Sequence, residues 1–220
     1  MPGPPGYRER LELLSGAQLR RTLTRMAAEI LERHPGLEGV VFVGVRTRGV
    51  PLARRIAGLA REASGVAAPV GALDITLYRD DLTTIAPHPV LKGTDIPVSI
   101  DGRTVILVDD VLYTGRTVRA ALDELIDFGR PARIELAVVV DRGHRELPIR
   151  ADYVGAEVKT APGETVQVTL AEEDGEDRVA LLERHDGPAA REPRPGRRGP
   201  ARPLPARATA RRAGRKGAKR

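Results

Sequence analysis

The stretch from Thr104 to Leu125 constrains the fold more than any other, because it encodes a strand, a tight turn and a helix in one run. Val105–Val108 is an unbroken apolar run, which is typical of a strand buried on both faces of a parallel sheet. The apolar residues that follow keep the i, i+3, i+4, i+7 spacing of a helix packed on a core. These residues are Val118, Ala121, Leu122 and Leu125. The pattern predicts an α/β fold with a central, mostly parallel sheet flanked by helices.

Acidic and hydroxyl side chains lie at the junction of this strand and this helix. Asp109 and Asp110 follow the apolar run, and Thr114-Gly115-Arg116-Thr117 forms the turn that opens the helix. Ligands of open α/β sheets bind past the carboxyl ends of the strands, and phosphate binds well at helix N-termini. A phosphate bound together with a sugar diol would satisfy both the turn and the carboxylates. A strand, acidic turn and helix without any ligand is the alternative.

Thirteen residues of this segment resemble the phosphoribosyl-pyrophosphate (PRPP) signature of type I phosphoribosyltransferases. The resemblance implies the fold of that superfamily, which adds a small hood of extra strands to the parallel sheet. It also implies that the segment binds PRPP. The implied PRPP-binding residues are Val105, Ile106, Leu107, Val108, Asp109, Asp110, Val111, Leu112, Tyr113, Thr114, Gly115, Arg116 and Thr117.

A second short turn follows another apolar run. Val40–Val45 is predicted to be a core strand, and Pro51 suits the first turn of the next helix. The turn between them contains Thr47 and Arg48, so backbone amides and a guanidinium are available for an anion. In type I phosphoribosyltransferases this position is the pyrophosphate loop, which implies that Thr47 and Arg48 bind pyrophosphate. A connector with exposed arginines is the alternative.

A long irregular segment follows the next predicted strand, Val70–Tyr78. Residues 82–95 contain prolines and a glycine and lack periodicity, and such a loop in a compact domain is usually functional or disordered. In the superfamily a mobile loop here closes over the bound substrate. The resemblance implies that Arg79 helps to hold the pyrophosphate and belongs to the catalytic group with Asp109 and Asp110.

The remaining elements complete one domain. Ser15 and Gln18 have capping-box spacing at the start of a first helix. Ile134–Val140 is predicted to be another buried strand, while Glu164–Leu170 and Arg178–Leu182 alternate like strands of a small sheet. The buried stripe expected on the first helix is Leu19, Leu23, Met26, Ala27, Ile30 and Leu31.

Charge is distributed unevenly along the chain. The net charge is +6, yet the segment from Asp186 onward carries +10, so residues 1–185 carry −4. The basic Ala/Pro/Arg-rich tail over 186–220 is predicted to be disordered, and it either contacts nucleic acid or acts as a solubilising appendage. Residues 1–14 are predicted to be a flexible leader, and 15–185 the phosphoribosyltransferase-type domain. With no cysteine and no apolar run long enough to span a membrane, the cytoplasm is the expected location.

Three further blocks make the resemblance more specific. D-I-T-L-Y-R-D-D-L, the T-R-G turn and D-R-G-H-R-E-L-P-I-R-A-D-Y resemble the PyrR family of pyrimidine operon regulators with uracil phosphoribosyltransferase activity, over Gly16 to Arg184. The resemblance implies conversion of uracil and PRPP to UMP and pyrophosphate. Mg²⁺ would arrive with PRPP, with no direct protein ligand assigned. Base recognition would involve Asp141 and Arg142.

The same resemblance implies binding of pyrimidine operon leader mRNA, strengthened by UMP or UTP, by a homodimer or higher homo-oligomer. Two departures, Ala28 in place of a histidine and Ala156 in place of a lysine, would trim contacts to RNA. For Arg145 and Arg150, intramolecular pairing with Glu146 and Asp152 is an alternative to RNA binding. The implied RNA-binding residues are Thr24, Arg25, Arg33, Arg145 and Arg150.

Three functions are compatible with these features. The chain is a UMP-responsive regulator, a uracil salvage enzyme with a vestigial RNA surface, or a nucleotide sensor without turnover. The sensor is disfavoured because the acidic pair, the T-R-G turn and the long loop are all present.

Overall fold

A five-stranded parallel sheet forms the centre of the protein in the computed structural model, which describes residues 6–76 and 93–185. The chain divides into two units, residues 1–185 and 186–220, and the described residues all belong to the first. The basic tail over 186–220, which is predicted to be disordered, lies outside the described residues. The elements are β1 (Tyr7–Ser15), α1 (Gly16–Arg33), a 3₁₀ turn (Pro35–Leu37), β2 (Val40–Val45), α2 (Gly49–Ser64), β3 (Val70–Leu73), β4 (Thr104–Leu112), α3 (Arg116–Phe128), β5 (Arg133–Asp141), β6 (Tyr153–Glu157), β7 (Glu164–Thr169), α4 (Ala171–Asp174) and β8 (Arg178–Arg184).

The strand order places the two predicted anion-binding turns side by side. The sheet runs β3-β2-β4-β5-β6, and every neighbouring pair is parallel. From β2 the chain moves outward to β3 and then returns to the other side of β2 as β4. The sheet therefore has a topological switch point between β2 and β4, and ligands of open α/β sheets bind in the crevice at such a point.

Helices cover both faces of this sheet, as the apolar spacing predicted. Helices α1 and α2 pack on one face, where the core includes Leu23, Ile56 and Phe42. Helix α3 packs on the other face through Val118, Ala121 and Leu125. The predicted stripe on α1 is confirmed except at its last member, Leu31, which is only partly buried. At the start of α1 the Gln18 Oε1 accepts hydrogen bonds from the backbone and hydroxyl of Ser15, both at 2.8 Å.

The prediction of a flexible leader over residues 1–14 is wrong for the described part of that segment. Tyr7–Ser15 is strand β1, paired antiparallel with β8 in a second sheet of order β1-β8-β7. Pairing with β8 supplies the backbone hydrogen bonds, and Arg8 donates to Glu183 at 2.7 Å across the pair. The predicted small sheet is therefore confirmed, with one more strand than expected.

Two strand boundaries also differ from the prediction. Strand β3 ends at Leu73 rather than Tyr78, because the Asp74 carboxylate accepts the Thr76 amide at 3.0 Å and folds the backbone into a turn. Residues 77 and 78 lie outside the described residues. Strand β4 continues through the acidic pair to Leu112, so Asp109 and Asp110 lie within the strand, near its carboxyl end, rather than after it.

In the part of the chain that the structure describes, none of the helices combines the length and apolarity needed to cross a membrane.

Candidate active site

Close backbone packing holds the turn after β2 against the end of β4. A Cβ on Gly44 would lie 2.3 Å from the Gly49 carbonyl oxygen, and one on Gly49 would lie 2.3 Å from the Val108 carbonyl oxygen. Only glycine therefore fits at these two positions without backbone movement. Thr47 is exposed in the turn, and the Arg46–Thr47 peptide bond is cis. The glycines bring the T-R-G turn next to the carboxyl end of β4.

Arg48 is held by the carboxylate of Asp174, the last residue of α4 between strands β7 and β8. Its Nε and Nη2 atoms donate to the Asp174 carboxylate at 3.0 and 2.8 Å, in a two-point contact typical of arginine and carboxylate. The Asp174 hydrogen bond is the main cause that raises the pKa of Arg48, and the same pair lowers the pKa of Asp174. Arg48 is thus fixed as a cation beside the crevice, and Asp174 orients it.

The two carboxylates of β4 lie at the opposite side of the crevice. Asp109 is buried and Asp110 is partly buried. Desolvation raises the pKa of the Asp110 carboxyl, opposed by the backbone hydrogen bond from Val111 at 2.8 Å and by the charge of Arg48. Because the charge of Arg48 acts on Asp110, the T-R-G turn and the acidic pair lie close to each other.

The turn that opens α3 has the expected helix N-terminus. Gly115 caps α3 in the left-handed region at φ 93°, and the Thr114 hydroxyl accepts the Arg116 amide at 3.3 Å. The Arg116 side chain pairs with Glu146 at 2.7 Å, so it points toward the loop after β5. A helix start of this kind can present backbone amides to an anion, although the Arg116 amide already bonds to Thr114 and the Arg116 guanidinium is engaged by Glu146.

Arg145 supports this turn from beneath. Its guanidinium donates to the backbone carbonyl of Tyr113 at 2.6 Å, to that of Ile149 at 3.1 Å, and to the Asp141 carboxylate. Glu146, suggested by sequence as an intramolecular partner, pairs with Arg116 instead. Arg145 is therefore mostly committed to internal contacts, which limits what it can offer to RNA.

Asp141 and Arg142, expected near the base, lie at the end of β5. The Asp141 carboxylate accepts the Gly143 amide at 2.9 Å as well as the Arg145 guanidinium. Arg142 is 7% exposed and donates to the Glu164 carbonyl at 2.7 Å. Both residues are near the site, but their polar groups are occupied by the protein.

Three of the other residues expected to bind RNA lie on α1, and the fourth, Arg150, lies in the segment between β5 and β6. Thr24 and Arg25 are exposed on α1, and Arg25 donates to the Gly155 carbonyl at 2.6 Å on β6. The Arg33 guanidinium stacks over the buried Tyr153 ring at 4.7 Å, and Arg150 is exposed. A surface that joins α1 and β6 is therefore present.

Sequence reasoning missed three contributors to the site. Asp174 holds Arg48 across 126 positions of sequence. Arg46 donates to the Gly93 carbonyl at 3.1 Å, and Asp74 accepts the Gly93 amide at 3.1 Å, so both contact the glycine near the end of the long loop. The acidic run A-E-E-D-G-E-D was the only available signal for Asp174. The prediction for Arg79 lies outside the described residues.

Within residues 6–76 and 93–185, no three His, Asp or Glu side chains are grouped to hold a metal ion. The acidic pair nevertheless suits a magnesium ion that arrives on a diphosphate, because Mg²⁺ is typically bound by one or two carboxylates together with substrate phosphates.

Comparisons with known proteins show to which family the chain belongs. The phosphoribosyl transferase domain family matches residues 10–173. A Bifunctional protein PyrR from Pelotomaculum thermopropionicum is 59% identical over 176 residues, which cover 80% of this chain and 97% of the relative. A Bifunctional protein PyrR from Thermus thermophilus is 59% identical over 177 residues, covering 80% of this chain and 98% of the relative.

Solved structures of lower identity share the fold. A hypoxanthine-guanine phosphoribosyltransferase from Bacillus anthracis has a TM-score of 0.60 and 22% identity, covering 79% of this chain and 98% of that one. The hypoxanthine phosphoribosyltransferase of Trypanosoma cruzi has a TM-score of 0.59 and 17% identity, covering 80% of this chain and 98% of that one. Together with the relatives above 50% identity, these matches show that the chain belongs to the PyrR family of the type I phosphoribosyltransferases.

Proposed function

We propose that this protein makes UMP from uracil and PRPP and that it also regulates pyrimidine genes by binding leader mRNA in a UMP- or UTP-dependent way. The observation that carries the enzymatic half is the convergence of the T-R-G turn, the acidic pair and the α3 N-terminus at one switch point. A phosphate, a diphosphate and a ribose diol each have a matching group there. Such substrates and mRNA would be met in the cytoplasm.

In the proposed reaction the C1–O bond of PRPP breaks, the base nitrogen N1 bonds to C1 and loses its proton, and pyrophosphate leaves. The ribose gains oxocarbenium character as the bond breaks, so negative groups near the ring lower the barrier. Asp109 and Asp110 would bind the ribose hydroxyls and provide that negative field. Thr114, Gly115 and Thr117 would bind the 5′-phosphate at the start of α3.

The leaving group would lie between the two turns. Arg48, oriented by Asp174, would contact the pyrophosphate together with Thr47, and we propose Arg79 as a further contact. Mg²⁺ carried by PRPP would neutralise part of the charge that develops on the leaving oxygens. The protein's own contribution is to fix these groups in advance.

The regulatory half of the proposal rests on the surface that joins α1 and β6. Thr24, Arg25, Arg33 and Arg150 provide polar and basic groups that could contact phosphates. Residues 1–185 carry a mildly acidic balance, so a homo-oligomer that gathers these arginines would favour RNA approach. A salvage enzyme with a vestigial RNA surface is the second candidate, favoured by the internal contacts of Arg25 and Arg145.

The enzymatic half is tested by incubating the purified protein with PRPP, Mg²⁺ and one base at a time. Uracil should yield UMP, whereas hypoxanthine, guanine and orotate should give no nucleotide. Turnover of a purine base in place of uracil would contradict the assignment.

The RNA half is tested by filter binding with a pyrimidine leader hairpin and a scrambled hairpin at two salt concentrations, with and without UMP. Truncation after Gly187 removes twelve basic residues that can neutralise phosphates on any RNA, so affinity and salt dependence should fall for both hairpins. The ratio between hairpins should persist, because discrimination needs fixed geometry.

Arg25→Gln with Arg150→Gln should do the reverse, keeping non-specific affinity while losing the UMP-dependent preference. Arg119 is an exposed arginine on α3, a helix that carries none of the proposed RNA-binding residues. Arg119→Gln is therefore the matched control and should leave the UMP-dependent preference unchanged. Loss of the preference on truncation alone would show that the tail reads the RNA and would contradict this division.

A further inference from the structure

The ring of Tyr113 is an unusual feature of the candidate site, because it is aromatic and 44% exposed. It lies between the acidic pair of β4 and the turn that opens α3. The guanidinium carbon of Arg142 lies 4.0 Å from the ring centroid, over one face. The His144 ring meets Tyr113 edge-on, at 6.1 Å and 68°. The exposed surface of the ring is therefore mainly the face opposite Arg142.

Arg142 is rigidly held beneath this ring. Its guanidinium donates to the Thr160 hydroxyl at 3.2 Å, to the Thr165 hydroxyl at 3.3 Å and to the Glu164 carbonyl at 2.7 Å. In the described part of the chain, all its hydrogen bonds thus go to neutral oxygens, and burial lowers its pKa. A cation held this way stabilises the ring through its face and fixes the ring's orientation.

The position of the ring suits the base of the substrate. The ribose hydroxyls would be held by Asp109 and Asp110, and the 5′-phosphate by the turn that begins at Thr114, directly after Tyr113. The base is attached to the same ribose, so it must lie close to the segment that joins these two contacts. A flat ring with one exposed face offers a stacking surface for a nucleobase, which every base can use.

We propose that Tyr113 is the stacking surface for the pyrimidine base and that Arg142 is a positioning residue that orients the ring without contacting the base. This inference rests on the proposed function, because it names the base subsite of the same active site. It replaces direct base contact by Arg142, whose donors are already used by Thr160 and by Glu164 and Thr165 at the start of β7.

Steady-state kinetics of UMP formation test the role of Tyr113. Tyr113→Ala should raise the KM for uracil about tenfold or more and change the KM for PRPP by less than about twofold, because only the base loses a stacking partner. Tyr113→Phe keeps the ring and should restore the KM for uracil to within about threefold of the wild type. Phe128→Ala, another exposed aromatic at the far end of α3, is the matched control and should behave as the wild type.

A binding experiment gives an independent signature. The chain has four tyrosines and no tryptophan, so its intrinsic emission reports tyrosine. UMP should quench that emission in the wild type, and Tyr113→Phe should lose most of the quenching while equilibrium dialysis shows that UMP still binds. Quenching that persists in Tyr113→Phe, or an unchanged KM for uracil in Tyr113→Ala, would overturn the inference.

Arg142→Lys tests the positioning role, since lysine keeps the charge but lacks the planar guanidinium that covers the Tyr113 ring and the separate donor to Thr165. The KM for uracil should rise while the KM for PRPP stays constant. Equal losses for both substrates would show that Arg142 has only a structural role. The proposed function and the stacking role of Tyr113 are tested separately. If the wild type forms no UMP, the proposed enzymatic function is wrong. Dialysis and quenching with UMP still decide whether Tyr113 stacks on the base.

Discussion

Two carboxyl groups, at opposite ends of the same parallel sheet, have opposite electrostatic environments. Glu135 lies at the amino end, near the start of β5, and is 3% exposed. Its carboxylate accepts the Tyr153 hydroxyl at 2.6 Å and the His34 ring at 2.8 Å. Desolvation acts to raise the pKa of Glu135, but these donors outweigh it and the pKa is lowered. At the carboxyl end, desolvation dominates and raises the pKa of Asp110.

The difference separates a structural carboxylate, Glu135, from Asp110, which we propose to be functional. Neighbours that belong to the fold stabilise the charge of Glu135, so its ionised form supports the native state. The charge of Asp110 is less well stabilised by the protein alone, and a ribose diol or a metal-bound diphosphate can provide what is missing. At the amino end of the sheet the carboxylate is stabilised by donors of the fold, whereas at the carboxyl end the proposed site carboxylate is not fully compensated by them.

The largest effect should come from neutralising the acidic pair. Asp109→Asn with Asp110→Asn removes the negative field beside the ribose, so UMP formation should fall by about two orders of magnitude or more. Circular dichroism should show an intact fold. Asp123→Asn, an exposed carboxylate on α3, is the control for charge removal alone. Turnover like that of the wild type in the double variant would refute the site assignment.

At the amino end, removing a donor should affect stability instead. Tyr153→Phe leaves the buried Glu135 without its 2.6 Å hydrogen bond, and the free energy of unfolding should fall by about 1–3 kcal/mol. Urea unfolding measures this loss. The kcat of the folded protein should stay unchanged, because Tyr153 lies at the amino end of the strands and the candidate site at their carboxyl end. A drop in kcat would contradict the division between the two ends of the sheet.

A smaller effect on UMP formation is expected when the planar guanidinium of Arg48 is replaced by an ammonium group. Arg48→Lys keeps the charge but gives up the two-point contact with Asp174, so the group that would bind pyrophosphate is less well placed. The KM for PRPP should rise about tenfold, whereas the KM for uracil should change little. Arg54→Lys, at an exposed position of α2, the helix that follows Arg48, is a matched control. A selective rise in the KM for uracil would place Arg48 outside the pyrophosphate site.

The smallest effect is a difference in pH dependence. Because the folded pKa of Glu135 is lowered, its stabilising contribution is present above the ordinary glutamate value of about 4.3 and is lost as the pH falls through the folded value. The raised pKa of Asp110 has the opposite sign: its contribution is lost as the pH rises through the folded value. Urea unfolding from pH 3 to pH 8 should therefore show Glu135→Gln converging with the wild type in acid and Asp110→Asn diverging from it at higher pH.

Local patterns were sufficient to predict most of the fold. The apolar run of Val40–Val45 and the spacing on α3 are properties of neighbouring residues, and both elements appear where expected. The two turns that are expected to bind anions were predictable as turns for the same reason, since each is a strand end followed at once by a helix start. The switch point that joins them then follows from strand order.

Contacts between distant segments could not be predicted. Strand β1 pairs with β8 at the other end of the domain, and nothing within Tyr7–Ser15 indicates that partner. Asp174 meets Arg48 from 126 positions away in the sequence, and Arg145 uses backbone carbonyls, which carry no sequence signal. The parts of the site that depend on side chains brought from another sheet or loop were therefore missed.

The most direct test measures stability and activity together for Asp110→Asn and Glu135→Gln at neutral pH, with Glu38→Gln as an exposed control. The predicted result is a reciprocal pair. Asp110→Asn should lose most UMP formation while its free energy of unfolding stays equal or rises, because the raised pKa means that the ionised carboxylate costs stability. Glu135→Gln should lose about 1–3 kcal/mol and keep its kcat. Loss of both properties in Asp110→Asn, or of kcat in Glu135→Gln, would contradict the division between the two ends of the sheet.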